Sequence, residues 1–346
     1  MDSLRFSDDL LAWYEFNKRA LPWRSTKDPY AIWLSEIILQ QTRVDQGMSY
    51  YMNFLDKYQN VHELASASEN EVLSLWQGLG YYSRARNMHK TAVIIDQNGG
   101  KFPDTYESIM ALPGIGPYTA AAIASFAFDL PYPVMDGNVI RVIARLFGID
   151  APVNKDAVLK ELKKILKELF DKRHPAIWNQ AIMEFGALHC TSSKPACGIC
   201  PFALECIAFR MEKTHEIPYK EKKNKRKKRY FHYLVIGNEK QIILRKRRGK
   251  GIWENLYDFP LVEKSEEGTP DLGQLSEEVG AYRSELSTMQ DWVKHVLSHQ
   301  DIYAKFYELN TPDPKQFLQG DWELADLEQI EQFPVPKLIS NYLFER

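Results

Sequence analysis

Cysteine is scarce in this chain: there are four in 346 residues, all inside "CTSSKPACGICPFALEC", Cys190 to Cys206. Nothing elsewhere could anchor a disulfide framework, and thiols gathered in one short window point to a single metal site. Their spacing is C-x6-C-x2-C-x5-C. A zinc site generally uses two separated cysteine pairs, whereas here one pair is flanked by a single cysteine on each side. A four-thiolate loop also suits an iron–sulfur cluster, so the spacing alone leaves the metal open. Long apolar runs are missing too, which excludes a membrane-spanning helix. The acidic N-terminus "MDSLRFSDDLLAW" lacks a cleavable signal pattern, and a soluble, cytoplasmic chain is expected. No internal repeat is present, and net charge is only −2, which argues against a uniformly basic polyanion binder. That charge is unevenly spread. "KEKKNKRKKR", residues 220–229, holds eight bases and one acid, while Asp313 to Arg346 holds seven acids and three bases.

At this length one core is too few, and two or three domains are expected. From Leu4 to about Lys213 the apolar spacing is helical. "DPYAIWLSEIILQQTRVDQGMSYYMNFLDKY" opens with Asp28 as an N-cap and Pro29 at the first helical position. "ENEVLSLWQGLGYYSRARNMHKTAVIIDQNGG" reads as two helices interrupted near Gly78–Gly80, and "DAVLKELKKILKELF" as an amphipathic helix. After the basic run the texture changes. "RYFHYLVIG", "KQIILRKR" and "DIYAKFYEL" alternate like strands, and "GQLSEEVG" suggests one or two helices packed on their sheet. The expected domains are a helical one over 1–219, a basic linker over 220–229 and an α+β one over 230–346.

Three stretches carry candidate chemistry. In "LPGIGPYTA", Leu112 to Ala120, a Gly-x-Gly turn joins two helices and leaves bare backbone N–H groups at a helix start. This is either a tight turn or a seat for an anion. Glu36, in "IWLSEIILQQTRV", shares a helix face with Gln40 and Arg43, a polar stripe on an otherwise apolar element. A carboxyl in such surroundings should have a raised pKa and serve as a general acid. Asp136, in "VMDGNVIRVIARLFG", is a good N-cap, which should hold it ionised and suit it to stabilising a developing cation. One carboxyl pushed up and one pushed down is the arrangement that glycosidic cleavage needs.

The hairpin, the following "MDGN" and the cysteine spacing together resemble the helix-hairpin-helix DNA glycosylases with a [4Fe-4S] loop. "LPWR" (Leu21 to Arg24), "SEIILQQTRV" (Ser35 to Val44) and "GLGYYSRARN" (Gly78 to Asn87) narrow the resemblance to the MutY-type adenine DNA glycosylases. It covers most of residues 4–215. It implies a monomer acting on duplex DNA that contains adenine opposite 8-oxoguanine or guanine, with no membrane partner. The adenine is flipped into a pocket, protonated by Glu36 and released, while Asp136 stabilises the sugar cation and Asn138 and Tyr118 orient groups nearby. Tyr118 stands where bifunctional relatives similar to endonuclease III carry the Schiff-base lysine, so base removal without strand cleavage is implied. By the same resemblance, Gly114 and Gly116 offer N–H groups to a DNA phosphate, and Arg24 and Gln180 line the adenine pocket. Tyr81 is the wedge in the base stack, with Gln41, Thr42 and Leu79 beside the opposite base. Cys190, Cys197, Cys200 and Cys206 hold a [4Fe-4S] cluster that shapes a basic surface with Lys194.

The C-terminal domain of that family resembles a Nudix fold and checks for 8-oxoguanine, and "RGKGIWENLYDFPLVE" fits it. The acidic motif of true Nudix hydrolases is absent after Val262, so nucleotide hydrolysis is not expected. The family's Phe-Ser-His recognition turn is present as "LSH", Leu297 to His299, preceded by His295. His295, Ser298 and His299 are therefore the candidate lesion contacts.

Overall fold

The computed structural model describes residues 2–221, 226–271, 287–288 and 291–344. They form two compact units: Met1–Ala65 with Lys90–Lys223, and Ser66–His89 with Asn224–Arg346. The helices in chain order are α1 (Ser3–Asn17), α2 (Pro29–Ile38), α3 (Val44–Lys57), α4 (Val61–Ser66), α5 (Glu69–Leu75) and α6 (Ser83–Gln97). They continue with α7 (Tyr106–Met110), α8 (Pro117–Phe128), α9 (Gly137–Leu146), α10 (Asp156–Leu169), α11 (Pro175–Leu188) and α12 (Ile207–Arg210).

The first unit is helical, as expected. Asp28 caps α2 by accepting from the Tyr30 and Ala31 amides, and Pro29 follows it at the first helical position. Thr105 and Ser108 cap α7 reciprocally. The hairpin turn then runs to Gly116, which caps α8 ahead of Pro117. Gly114 sits at φ +75°, which a side chain would strain, while Gly116 at φ −97° uses ordinary backbone. Every residue of α8 from Thr119 to Phe126 is buried. Its alanines let α2, α7 and α11 pack closely around it. Gly186 does the same for α9 and α11, since a Cβ there would lie 2.7 Å from Asn138 Cβ.

One helical expectation fails. α2 stops at Ile38, Leu39 caps it, and Gln41 turns back at φ +56° before α3 begins. Glu36, Gln40 and Arg43 therefore do not form one helical stripe. The apolar spacing runs on through the break, which hides it from a periodicity argument.

The second unit is built on a mixed sheet of β1 (Lys227–Gly237), β2 (Gln241–Lys246), β3 (Tyr257–Asp258), β4 (Leu261–Lys264), β5 (Ser287–Thr288), β6 (Val293–Val296), β7 (Gln300–Asn310) and β8 (Trp322–Asp326). β1 and β7 run parallel at its centre, in register from Lys227 with Gln300 to Gly237 with Asn310. Strand alternation gives the unit two apolar faces. Phe231, Tyr233, Ala304 and Phe306 pack under α13 (Lys337–Phe344) through Leu338, Ile339 and Tyr342. Leu234, Ile236, Leu309 and Phe317 pack on the other side. Lys227 to Arg229, expected in the linker, are the first residues of β1. Residues 222–225 of that basic run, and "GQLSEEVG", lie outside the described residues.

The segment Ser66–His89 belongs to this second unit although the first unit surrounds it in sequence. Its ties are specific. Arg86 donates to the Glu254 carbonyl and carboxylate at 2.7 and 3.0 Å, Lys246 donates to Asn70 at 2.9 Å, and the Tyr82 hydroxyl donates to the Val335 carbonyl at 3.1 Å.

Candidate active site

The first unit gathers four of the expected site residues. Glu36 lies in the last turn of α2 among apolar neighbours and is buried. Burial pushes its carboxyl up to about 7; the Tyr118 hydroxyl bonds to it and pulls the other way, the nearby Asp136 charge adds to the rise, and Arg24 opposes it. Tyr118, at the start of α8, is itself raised well above its ordinary value, by burial first and then by Glu36 and Asp136. Its hydroxyl also faces the Met183 sulfur at 3.9 Å.

Asp136 caps α9 as expected. One oxygen accepts the Val139 amide at 2.8 Å and the other accepts the Asn138 side chain at 2.7 Å. The expectation that the cap would depress its pKa does not hold. Burial outweighs the hydrogen bonds from the Val139 amide and from the Asn138 side chain and backbone, together with the Arg141 charge, and the carboxyl is raised from the ordinary aspartate value. Asn138 continues the chain of contacts by accepting from Arg141 at 2.8 Å, and Arg141 donates to the Gly186 carbonyl at 2.6 Å and the Cys190 carbonyl at 2.7 Å. A hydrogen-bonded path thus joins the carboxylate to the start of the cysteine loop.

Glu184 was not picked out from sequence, where a single acid on an apolar helix reads like any surface glutamate. It is buried on α11 and accepts five hydrogen bonds, three from Arg19 and two from Arg24. Burial alone would raise it, yet Arg19 and Arg24 hold its carboxyl down at about 2. This pins the Arg24 guanidinium, which also lies 5.8 Å from the centre of the Tyr14 ring. Tyr14 in turn donates to Gln180 at 3.0 Å, so Arg24 and Gln180 are linked through one aromatic ring. Gln40, the polar neighbour expected beside Glu36, donates instead to Thr119 at 3.2 Å. Gln41 and Thr42 occupy the turn after α2. Gly116 has nothing within 4 Å of where a side chain would begin, so the turn leaves room for a ligand there.

The four cysteines line one cavity with Val142, Leu146 and Phe185. The Arg145 guanidinium, buried beneath them, donates to the Cys190 sulfur at 3.4 Å and to the Thr191 and Ser192 carbonyls at 2.6 and 3.1 Å. Among the described residues no three His, Cys, Asp or Glu side chains close on a point as a single-ion site. Burial raises the Cys197 and Cys206 thiols and pushes Cys200 up to about 12.

In the second unit the turn after α5 carries Leu79, buried, and Tyr81, a non-glycine at φ +50°. Arg84 holds this turn. It lies over the Trp76 ring at 4.9 Å and the Tyr81 ring at 5.7 Å, and it donates to the Gly80 carbonyl at 3.1 Å. The Tyr81 hydroxyl meets the Ser298 hydroxyl at the exposed tip of the β6–β7 turn, so the structure joins two candidates 217 residues apart. The neighbouring candidates are placed differently. His295 lies within β6, not in the turn, and its ring packs 5.7 Å from that of Trp253. His299 is exposed, with its carbonyl accepting from Lys227. Leu297 faces the apolar cluster, which makes its side chain a packing choice.

Comparison with known proteins finds two families, and the match to the first runs straight through Ser66–His89. Residues 34–168 match the model of the HhH-GPD superfamily of base excision DNA repair proteins, and residues 232–344 match that of the NUDIX domain. The adenine DNA glycosylase of Buchnera aphidicola subsp. Baizongia pistaciae is 37% identical over 306 residues, 88% of this chain and 85% of that one. That of Homo sapiens is 42% identical over 213 residues, 59% of this chain and 39% of the human one. Among solved structures, a thermostable thymine-DNA glycosylase superposes with a TM-score of 0.56 at 28% identity, over 60% of this chain and 97% of its own. An endonuclease III–DNA complex superposes with a TM-score of 0.52 at 23% identity, over 61% of this chain and 98% of its own, a likeness of fold.

Proposed function

The chain belongs to the adenine DNA glycosylases, base excision repair enzymes that hydrolyse an N-glycosyl bond, and from that premise we propose how its residues divide the work. Glu36 is the general acid. A carboxyl whose pKa lies near 7 still carries a proton in a large share of molecules near neutral pH and can give it to a ring nitrogen of the flipped adenine. The bond between that base and C1′ of the sugar then breaks, its electron pair leaving with the protonated adenine. Asp136, held by the Val139 amide and Asn138, faces the cationic sugar. Water adds at C1′, and its proton passes to the Glu36 carboxylate, restoring the acid. Arg24, fixed by Glu184, and Gln180, fixed by Tyr14, supply the polar wall that orients the base. With tyrosine at 118 no Schiff base forms, and the product is an intact abasic strand.

Cys190, Cys197, Cys200 and Cys206 would hold a [4Fe-4S] cluster. The donor set fits one: four thiols line a single apolar cavity. When bound, the cluster ties the loop into a fixed shape, and no step of the excision passes through it. The base opposite the adenine is 8-oxoguanine, read in the second unit by Ser298 and Tyr81, whose contact supports a shared task.

The buried, proton-bearing Glu36 carries this reading. The decisive experiment incubates the protein with an adenine:8-oxoguanine duplex and analyses the strands with and without hot alkali. Breaks at the adenine that need alkali support a monofunctional glycosylase. Breaks without it, or none at all, overturn the assignment. Iron and zinc analysis of the same preparation tests the cluster, and stoichiometric zinc in an active, colourless protein would refute it.

A further inference from the structure

The second unit carries a concentration of positive charge that the site described above does not use. Arg245 and Lys246 at the end of β2, with Arg247, Arg248 and Lys250 of the loop that follows, line one concavity of about 190 Å³, and Asp321 is the acid among its lining residues. The cations are not equivalent. Arg247 donates to Asp258 at 2.6 Å and Arg245 approaches that carboxylate at 3.6 Å. Asp258 is fully buried, so it fixes two guanidinium forks from behind while offsetting at most one charge. Lys246 is held by Asn70. Arg248 and Lys250 are exposed and have no ion pair among the described residues.

Gathering five like charges in a concave wall costs self-repulsion unless an anion answers them. Two features narrow that anion. Gly249 and Gly251 have nothing within 4 Å of where a side chain would begin, so the loop leaves room for a ligand beside the guanidinium groups. Apart from Ile252 the lining is polar, with no aromatic side chain on which a base could stack. A wall of this kind suits phosphate and lacks the aromatic platform on which bases stack.

We propose that this pocket binds backbone phosphate of duplex DNA, a sequence-independent anchor on the second unit that is separate from lesion reading. The inference rests on the reading of the chain as a DNA glycosylase. It differs from that reading in what it requires: a phosphate contact is indifferent to the base pair above it. It should therefore operate on undamaged duplex, where no excision takes place.

The test measures affinity of the full-length protein for an undamaged duplex across a range of salt concentrations. Each neutralised phosphate contributes close to one unit to the slope of log K against log salt. For Arg248→Ala/Lys250→Ala the slope should become shallower by about one to two units, and Arg248→Lys/Lys250→Arg should restore it. The control removes two exposed lysines of α10, Lys163→Ala/Lys164→Ala, and should leave the slope unchanged. Thermal melts confirm that each variant is folded. An unchanged slope in the pocket variant overturns the proposal, and so does an equal loss in the control, which would mean net charge alone. A second arm titrates inorganic pyrophosphate. Saturable binding that the pocket variant abolishes, with the DNA slope intact, would assign the pocket to a free phosphate ligand and also overturn the proposal. Absence of excision on the adenine mispair by the parent protein, scored separately, would count against the proposed function and leave the slope comparison standing.

Discussion

At the scale of single residues, the proposed chemistry turns on how burial is distributed between two carboxyls. Glu36 goes from an ordinary glutamate in the unfolded chain to a pKa of about 7 in the fold. Because the folded pKa is higher, the unfolded state binds fewer protons between pH 4.5 and 7, and Glu36 costs stability as pH rises through that window. Above pH 7 the cost levels off at about 3 kcal/mol. Glu36→Gln removes the ionisation and keeps the shape. It should raise the melting temperature at pH 8 and hardly change it at pH 4.5, while excision falls by at least about 10²–10⁴-fold. A variant equally stabilised at both pH values would show that the carboxyl is not held protonated by the fold. Glu184 behaves oppositely, being a buried anion that two arginines require. Glu184→Ala should destabilise by about 3–5 kcal/mol, read by denaturant titration, because it strands Arg19 and Arg24 beside apolar surface. Glu36 and Asp136 were legible because each sits in a telling local string. Glu184 was not, since its partners lie 160 and 165 residues away.

At the scale of elements, the hairpin between α7 and α8 separates conformation from contact. Gly114 needs its left-handed backbone, whereas Gly116 has an ordinary φ and empty space where a side chain would go. Gly114→Ala should therefore lower stability by about 1 kcal/mol. Gly116→Ala should melt like the parent protein and yet bind duplex more weakly, since its methyl would occupy the approach to the amide. Comparable DNA affinity in Gly116→Ala and parent would remove the hairpin from the phosphate-binding surface. Helix starts were readable in the sequence because capping is local: Asp28–Pro29 and Asp136 announce α2 and α9 within three residues. The break from Leu39 to Arg43 was not, because Gln41 adopts its turn in a stretch whose composition still suits a helix. The placement of His295 was missed for a related reason. Sequence shows that it precedes the turn, but only the β6–β7 register, His295 opposite Ile302, puts it in a strand against Trp253.

At the scale of the whole molecule, the division of the chain departs from a cut at the basic run. Its two halves were visible as a change from helical to alternating apolar pattern, but the membership of Ser66–His89 was hidden, because its partners Glu254 and Val335 lie more than 160 residues downstream. The consequence is testable. Removing residues 224–346 would take away more than the proposed reader of the opposite base. It would strip the partners of Tyr82 and Arg86 and of the Tyr81 hydroxyl, leaving the α5 turn unsupported. In the shortened chain, amides of residues 66–89 should exchange with solvent faster than in the full chain, and excision should fall on adenine:guanine as well as adenine:8-oxoguanine. Ser298→Ala makes the finer cut. The serine is exposed at a turn tip, so its loss leaves packing alone and removes one hydroxyl from the Tyr81 contact. Stability should be unchanged, adenine:guanine excision retained, and the preference for 8-oxoguanine reduced about tenfold to a hundredfold, the worth of one or two hydrogen bonds to a base edge. Single-turnover rates on both duplexes, measured side by side, decide it: an unaltered preference ratio in Ser298→Ala would take lesion reading away from this turn.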